Sequence, residues 1–303
     1  MKKVFVSALL LGASVIGYAQ LLNVASIEKV ALPEGTSINT ATMSPDGSYI
    51  AITKKQTAGI HKLDLASSEI TTISETGNGY GLTISKDGQQ VVFKDVTVGK
   101  DKLRRTALKS TDLATGKTTT LVKPTRNLQG FTVNNNTVLS VDKGKVSTKS
   151  LNGTVVTAAP VASIEYGRLM LTVNGKTTNI SPQGSEGQSY LWPSVSPDGT
   201  RVLYYLSGKG AYICNLDGSN PVYLGQIRAA QWYDNETVVG MNDTDDGYVI
   251  TSSQIVAVKA DGKIGQNLTE ESSMAMYPTV SSDGSKIAYI TPAGDLHIIN
   301  ITK

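Results

Sequence analysis

The chain of 303 residues contains a single cysteine, Cys214, so no disulfide can form within it and its stability must come from packing. Histidine is nearly absent, with only His61 and His297, and nothing in the sequence places a serine beside either of them. No G-x-S-x-G nucleophile elbow occurs. Aromatic residues make up only 6% of the chain, and most of them are Tyr. Beyond the first twenty residues no segment is apolar enough to cross a membrane as a helix. An excess of one charge is also missing, which argues against a broad electrostatic footprint for nucleic acid. What the chain does have is Val, Ile, Leu and Tyr spread evenly along it, and 29 Gly, the composition of a large core folded through many tight turns.

The first residues form a separate object. Lys2 and Lys3 make a positive start, Val4 to Ile16 an apolar run, and Gly17 and Ala19 the small residues expected before a cleavage point. Residues 1–19 are therefore expected to be a signal peptide cleaved before Gln20, with residues 20–303 forming one domain. Cleavage would leave 26 basic and 25 acidic side chains, lowering the formal charge from +3 to +1. No cysteine follows the cleavage point, so a lipid anchor at the new terminus is not expected.

Internal repetition specifies the fold class. Ser-Pro-Asp-Gly occurs at Ser44–Gly47 and Ser196–Gly199, with variants at Ser85–Gly88 and Ser281–Gly284. Each precedes a strand-like run: Tyr49–Ile52, Gln90–Phe93, Val202–Tyr205 and Lys286–Tyr289. Pro fixes φ at the second turn position, Asp bonds neighbouring backbone, and Gly accepts positive φ, which together close a hairpin. A second turn follows at Ala114–Lys117, Asn152-Gly153, Asp217-Gly218 and Asp261-Gly262, with strands such as Lys117–Val122 and Val155–Ala158 after it. Four antiparallel strands in about 40 residues make one propeller blade. Degenerate copies centre on Asn134–Asn136, Glu165–Gly167 and Tyr233–Glu236. The expectation is an all-β β-propeller of seven units, starting near residues 40, 81, 130, 161, 192, 229 and 277, with six blades as the alternative because unit four lacks a fourth strand. The last unit is one strand short, and the isolated run Ser26–Leu32 can supply that edge and close the ring.

The segment Pro193–Tyr205 resembles the WD-like repeat of TolB-like β-propellers, and Pro278–Ile290 matches nearly as well. The resemblance implies a propeller of the Gram-negative periplasm or cell surface and, by analogy with TolB, binding of an envelope partner. Related propellers include lyases that act on acidic sugars through histidine-rich metal sites, and two histidines match these poorly.

The candidate chemistry is sparse. His61 and His297 occupy equivalent places in the first and last units, so a paired-histidine metal site is conceivable. Tyr212 holds the same place in unit five, so the position simply favours a medium aromatic, and no metal or other cofactor is expected. Asn242–Gly247 resembles half of a calcium loop without its bidentate Glu; an exposed acidic hairpin is the simpler reading. The clearest constellation is Trp192, Arg228 and Tyr277. Aligned on the turns, these begin the first strand of three consecutive units, at one rim of the central channel, with Trp232 close in sequence. Trp, Tyr and Arg combine apolar area with a polar handle and dominate binding hot spots. The expected function is non-catalytic binding of an envelope protein, peptide or glycan by a monomeric, periplasmic or secreted propeller. The competing class is a carbohydrate lyase or hydrolase with its site in the channel.

Overall fold

A computed structural model describes residues 20–55, 57–134, 136–152 and 159–302. The expected signal peptide and the expected strand Val155–Ala158 lie outside the described residues.

Seven antiparallel sheets follow one another along the chain. Blade one runs from Ile38–Met43 to Ile70–Ser74, blade two from Asn78–Ile84 to Thr118–Thr125, and blade three from Leu128–Asn134 to Lys145–Ser150. Blade four runs from Val161–Glu165 to Lys176–Asn179, blade five from Tyr190–Val195 to Val222–Gly225, and blade six from Arg228–Trp232 to Gly265–Asn267. Blade seven takes its first three strands from Met276–Val280, Lys286–Ile290 and Leu296–Thr302, and its fourth from Asn23–Lys29. The count is thus seven rather than six. Among the described residues blade four is a sheet in its own right with three strands, and blade three also has three. The ring closes as the sequence suggested, with the N-terminal strand three residues earlier than expected: Asn23 pairs with Thr302 and Lys29 with His297.

The core is a ring of interfaces between blades. On the second strand of blade five, Val202, Tyr204 and Leu206 pack toward blade four, while Leu203 and Tyr205 pack toward blade six. This is the two-residue alternation of a strand applied to a sheet buried on both faces. The same alternation joins blade seven to blade one, where Ile50 and Ile52 meet Ala288 and Ile290.

The repeated turn depends on its serine, whose part was not evident from sequence. Ser44 is fully buried; its Oγ donates to Asp46 Oδ1 (2.8 Å) and accepts from the Tyr49 N–H (3.0 Å). Ser85, Ser196 and Ser281 repeat both bonds. One hydroxyl therefore satisfies the turn carboxylate and the first amide of the next strand, which is why Ser persists where Pro does not. Burial opposes ionisation at all three turn carboxyls, most at Asp46 and Asp87, yet these bonds help hold Asp46, Asp87 and Asp198 below the usual carboxylate range. Ser196→Ala is expected to cost about 1–2 kcal/mol by leaving the Arg201 amide and Asp198 short of a partner. Urea unfolding of the variant measures this, and an unchanged midpoint would contradict the role given to the hydroxyl.

Candidate functional site

In every blade the first strand begins at the same end of the ring as the hairpin joining the second and third strands. Six of the first strands carry a register shift near that end, with one extra residue in five of them and three in blade two. In four blades a residue four places before the turn adopts left-handed backbone: Gly81 (φ 70°), Trp192 (49°), Ala229 (48°) and Tyr277 (53°). The counterpart of Trp192 and Tyr277 in blade six is therefore Ala229. Arg228, aligned there from sequence, stands one residue earlier, opposite Met241. The sixth unit lacks a Ser-Pro-Asp-Gly turn to anchor the alignment, which accounts for the one-residue error.

Glycine enters left-handed backbone freely, but a bulky residue there is strained by about 1–2 kcal/mol. Pro193 and Pro278 follow the two aromatics, and proline disfavours compact backbone in the residue before it. Trp192 and Tyr277 hold these conformations while about half exposed, at 54% and 49%.

Arg228 connects blades five and six. The Trp192 ring packs on Tyr205 with centroids 5.3 Å apart, and the Tyr205 side chain meets the Arg228 guanidinium. Arg228 Nη1 lies 2.9 Å from Asp243 Oδ2, and Nη2 lies 3.3 Å from Asp245 Oδ2. The Asp243 side chain is 1% exposed, and neither of its oxygens completes a hydrogen bond among the described residues. Burial pushes its carboxyl above the usual range, with Arg228 pulling it back and Asp245 adding to the rise. Two carboxylates of the Asn242–Gly247 stretch are thus engaged by Arg228. Asp246 accepts the amides of Tyr248 and Val249 and so forms the hairpin turn. The structure brings Trp192 and Arg228 together through Tyr205, while Tyr277 faces the channel from blade seven.

Tyr277 lines a cavity of 240 Å³ at the channel mouth, with Asn39, Thr40 and Thr42 of blade one, Gly79, Tyr80 and Gly81 of blade two, and Ala229 and Gln231 of blade six. Gly79 is required there, since a Cβ would collide with the Thr40 hydroxyl. Sequence reasoning passed over Tyr80, Asn39 and Gln231. The run Gly77-Asn78-Gly79-Tyr80-Gly81 holds the signal that could have found this place, because glycine inside a strand marks a bulge. The cavity lining has no Asp, Glu, His, Lys or Arg.

Among the described residues, seven of the nine exposed large apolar side chains stand at this end of the ring, while Tyr166 lies at the opposite end. Tyr80, Trp192 and Tyr277 stand at its mouth. Val98 and Leu103 lie near the tip of the long blade-two hairpin, and Tyr248 and Val249 at that of blade six. Trp232 does not join them. It lies at the turn end of its strand, between blades five and six, where Nε1 donates to the Ser194 carbonyl (3.4 Å) and Arg201 covers the ring.

His61, Tyr212 and His297 occupy equivalent third-strand positions, opposite Ile52, Tyr204 and Tyr289. His297 stacks on Tyr289 with centroids 4.9 Å apart. Burial lowers the pKa of both histidines. Cys214 is buried between blades four and five, its thiol pushed up to about 12, so it is a core residue. Among the described residues no helix is long and apolar enough to cross a membrane.

No family model and no curated protein matches the chain. Solved structures do. A chain of the mitotic checkpoint complex aligns at a TM-score of 0.60 and 10% identity, over 97% of this chain and 100% of that one. The GH74 enzyme of Niastella koreensis gives 0.60 and 10%, over 91% of this chain and 54% of the other. A TolB described as putative, from Agrobacterium tumefaciens, gives 0.52 and 14%, over 88% and 91%. At such identities the likeness establishes the fold, a seven-bladed β-propeller with TolB proteins among its structural neighbours.

Proposed function

We propose that this chain is exported and acts as a non-catalytic binding propeller, recognising an envelope protein, peptide or glycan at the end of the ring that carries Trp192, Arg228 and Tyr277. The observation that carries the reading is the backbone of the two aromatics. Blade two holds the same left-handed position with Gly81 and blade six with Ala229, so the ring needs no aromatic there. Strain held at an exposed aromatic that the fold does not require points to function. Wide exposure of apolar groups at one end also marks an interaction surface. The channel-mouth cavity supplies no carboxylate or imidazole for acid–base work, which favours binding over turnover at that place.

Pull-down from envelope extract with the protein and its Trp192→Gly/Tyr277→Gly variant tests this. Glycine suits the backbone at both sites, so relief of strain offsets the lost contact of Trp192 with Tyr205. The thermal midpoint is expected to stay within about 3 °C of the parent. Capture by the parent and loss in the variant is the expected result. Equal capture by both would remove these residues from the interface.

A further inference from the structure

We propose that the channel-mouth cavity is a subsite for one uncharged saccharide ring, the terminal residue of a neutral glycan. The assignment rests on the binding reading above and names its ligand class. The cavity excludes three other kinds of ligand by its chemistry. A charged group would lose its hydration among side chains that offer no counter-charge. The nearby cation Lys94 packs behind Gly81 with its ammonium over the Phe131 ring of blade three, so it stands at the cavity wall without being one of the lining side chains. An apolar group would bury the amides of Asn39 and Gln231 and the Thr42 hydroxyl without partners; these three make no side-chain hydrogen bond among the described residues. A polypeptide adding as a further strand would need a continuous sheet edge, but here the blades present bulged strand ends around a ring.

A sugar ring meets all of these conditions. Each hydroxyl both donates and accepts, as do the side-chain amide and hydroxyl groups of Asn39, Gln231 and Thr42. Its apolar C–H face matches an aromatic ring, and Tyr80 and Tyr277 bound the cavity from blades two and seven. At 240 Å³ the cavity is below the roughly 300–1,000 Å³ of drug-sized pockets, room for one ring with the rest of the chain outside. Trp192 and the long hairpins then stand where that remainder would emerge.

Titration calorimetry of the full chain against maltotriose, cellotriose, chitotriose and trigalacturonate tests the subsite. At least one neutral trimer is expected to bind, and trigalacturonate at least tenfold more weakly. Gln231→Ala and Asn39→Ala, both at exposed positions, are each expected to weaken that binding about tenfold with an unchanged thermal midpoint. The assignment is overturned if no neutral trimer binds, if trigalacturonate binds best, or if both alanine variants bind as the parent does. Envelope capture that still depends on Trp192 and Tyr277 alongside any of these results would leave the binding reading intact. Capture indifferent to both residues would overturn that reading separately.

Discussion

Deletion of residues 20–29 is expected to lower the thermal midpoint by at least about 10 °C and to leave a protein that aggregates on heating. The strand Asn23–Lys29 is the outer edge of blade seven and, among the described residues, the piece that ties the start of the propeller to its end within one sheet. Its loss removes a backbone ladder in which each bond is worth about 0.5–1.5 kcal/mol net. It also removes Leu22, buried between blades six and seven, which adds about 2 kcal/mol. A clasp goes with it: Gln266 Oε1 accepts the amides of Leu21 and Leu22, each at 2.8 Å, while its Nε2 donates to the Leu22 carbonyl at 2.9 Å. The exposed edge would then be Leu296–Thr302, an Ile-rich strand suited to pairing with another chain. Gln266→Ala, which opens the clasp and keeps the strand, should give a shift of only a few degrees in the same direction. Differential scanning calorimetry of parent, deletion and Gln266→Ala separates these effects. A deletion that melts within about 2 °C of the parent would show that blade interfaces hold the ring without the edge strand.

The ring was legible because its information is local and repeated. Ser44, Ser85, Ser196 and Ser281 mark four hairpins directly, and the spacing between them sets the places of the other three. The closing strand was legible by subtraction, since the last unit is short of an edge and one strand-like run precedes the first. The site was less legible, for two physical reasons. Bulges shift which residue faces the channel by one position, and only the structure shows that Ala229 rather than Arg228 is the partner of Trp192 and Tyr277. The channel mouth is also assembled from blades one, two, six and seven, so Asn39, Tyr80 and Gln231 meet there without any motif in common. The Asn242–Gly247 stretch is a further case. Its composition resembles half of a calcium loop and reads more simply as an exposed acidic hairpin; neither reading shows that the cation facing it is Arg228, fourteen residues before its start and one strand away.

The ion pair between Arg228 and Asp243 also bears on stability. Arg228→Ala is expected to destabilise the protein by about 2 kcal/mol at pH 7, a figure set below that for a fully buried pair because Arg228 is partly exposed. The loss comes from what is left behind: Asp243 would be a buried carboxylate with no cation and no hydrogen bond to offset its desolvation. The pH dependence has a definite sign. The Asp243 carboxyl is already raised in the fold, chiefly by burial, and removing Arg228 raises it further. A folded acid with a raised pKa holds its proton more tightly than the unfolded chain does. The penalty is therefore absent below the unfolded value near 4, grows as pH rises through the folded value, and is complete above it. Urea unfolding of Arg228→Ala should thus approach the parent near pH 4 and fall away toward pH 7. Asp243→Asn placed on top of Arg228→Ala should restore most of the stability at pH 7 and flatten the profile, because a neutral amide has far less hydration to lose. A deficit that is constant from pH 4 to pH 7, or one that Asp243→Asn does not relieve, would mean that Arg228 stabilises the ring through its contact with Tyr205 instead. In either event Arg228→Ala alone cannot report on ligand contact, and the double variant is the one to compare with the parent in any binding assay.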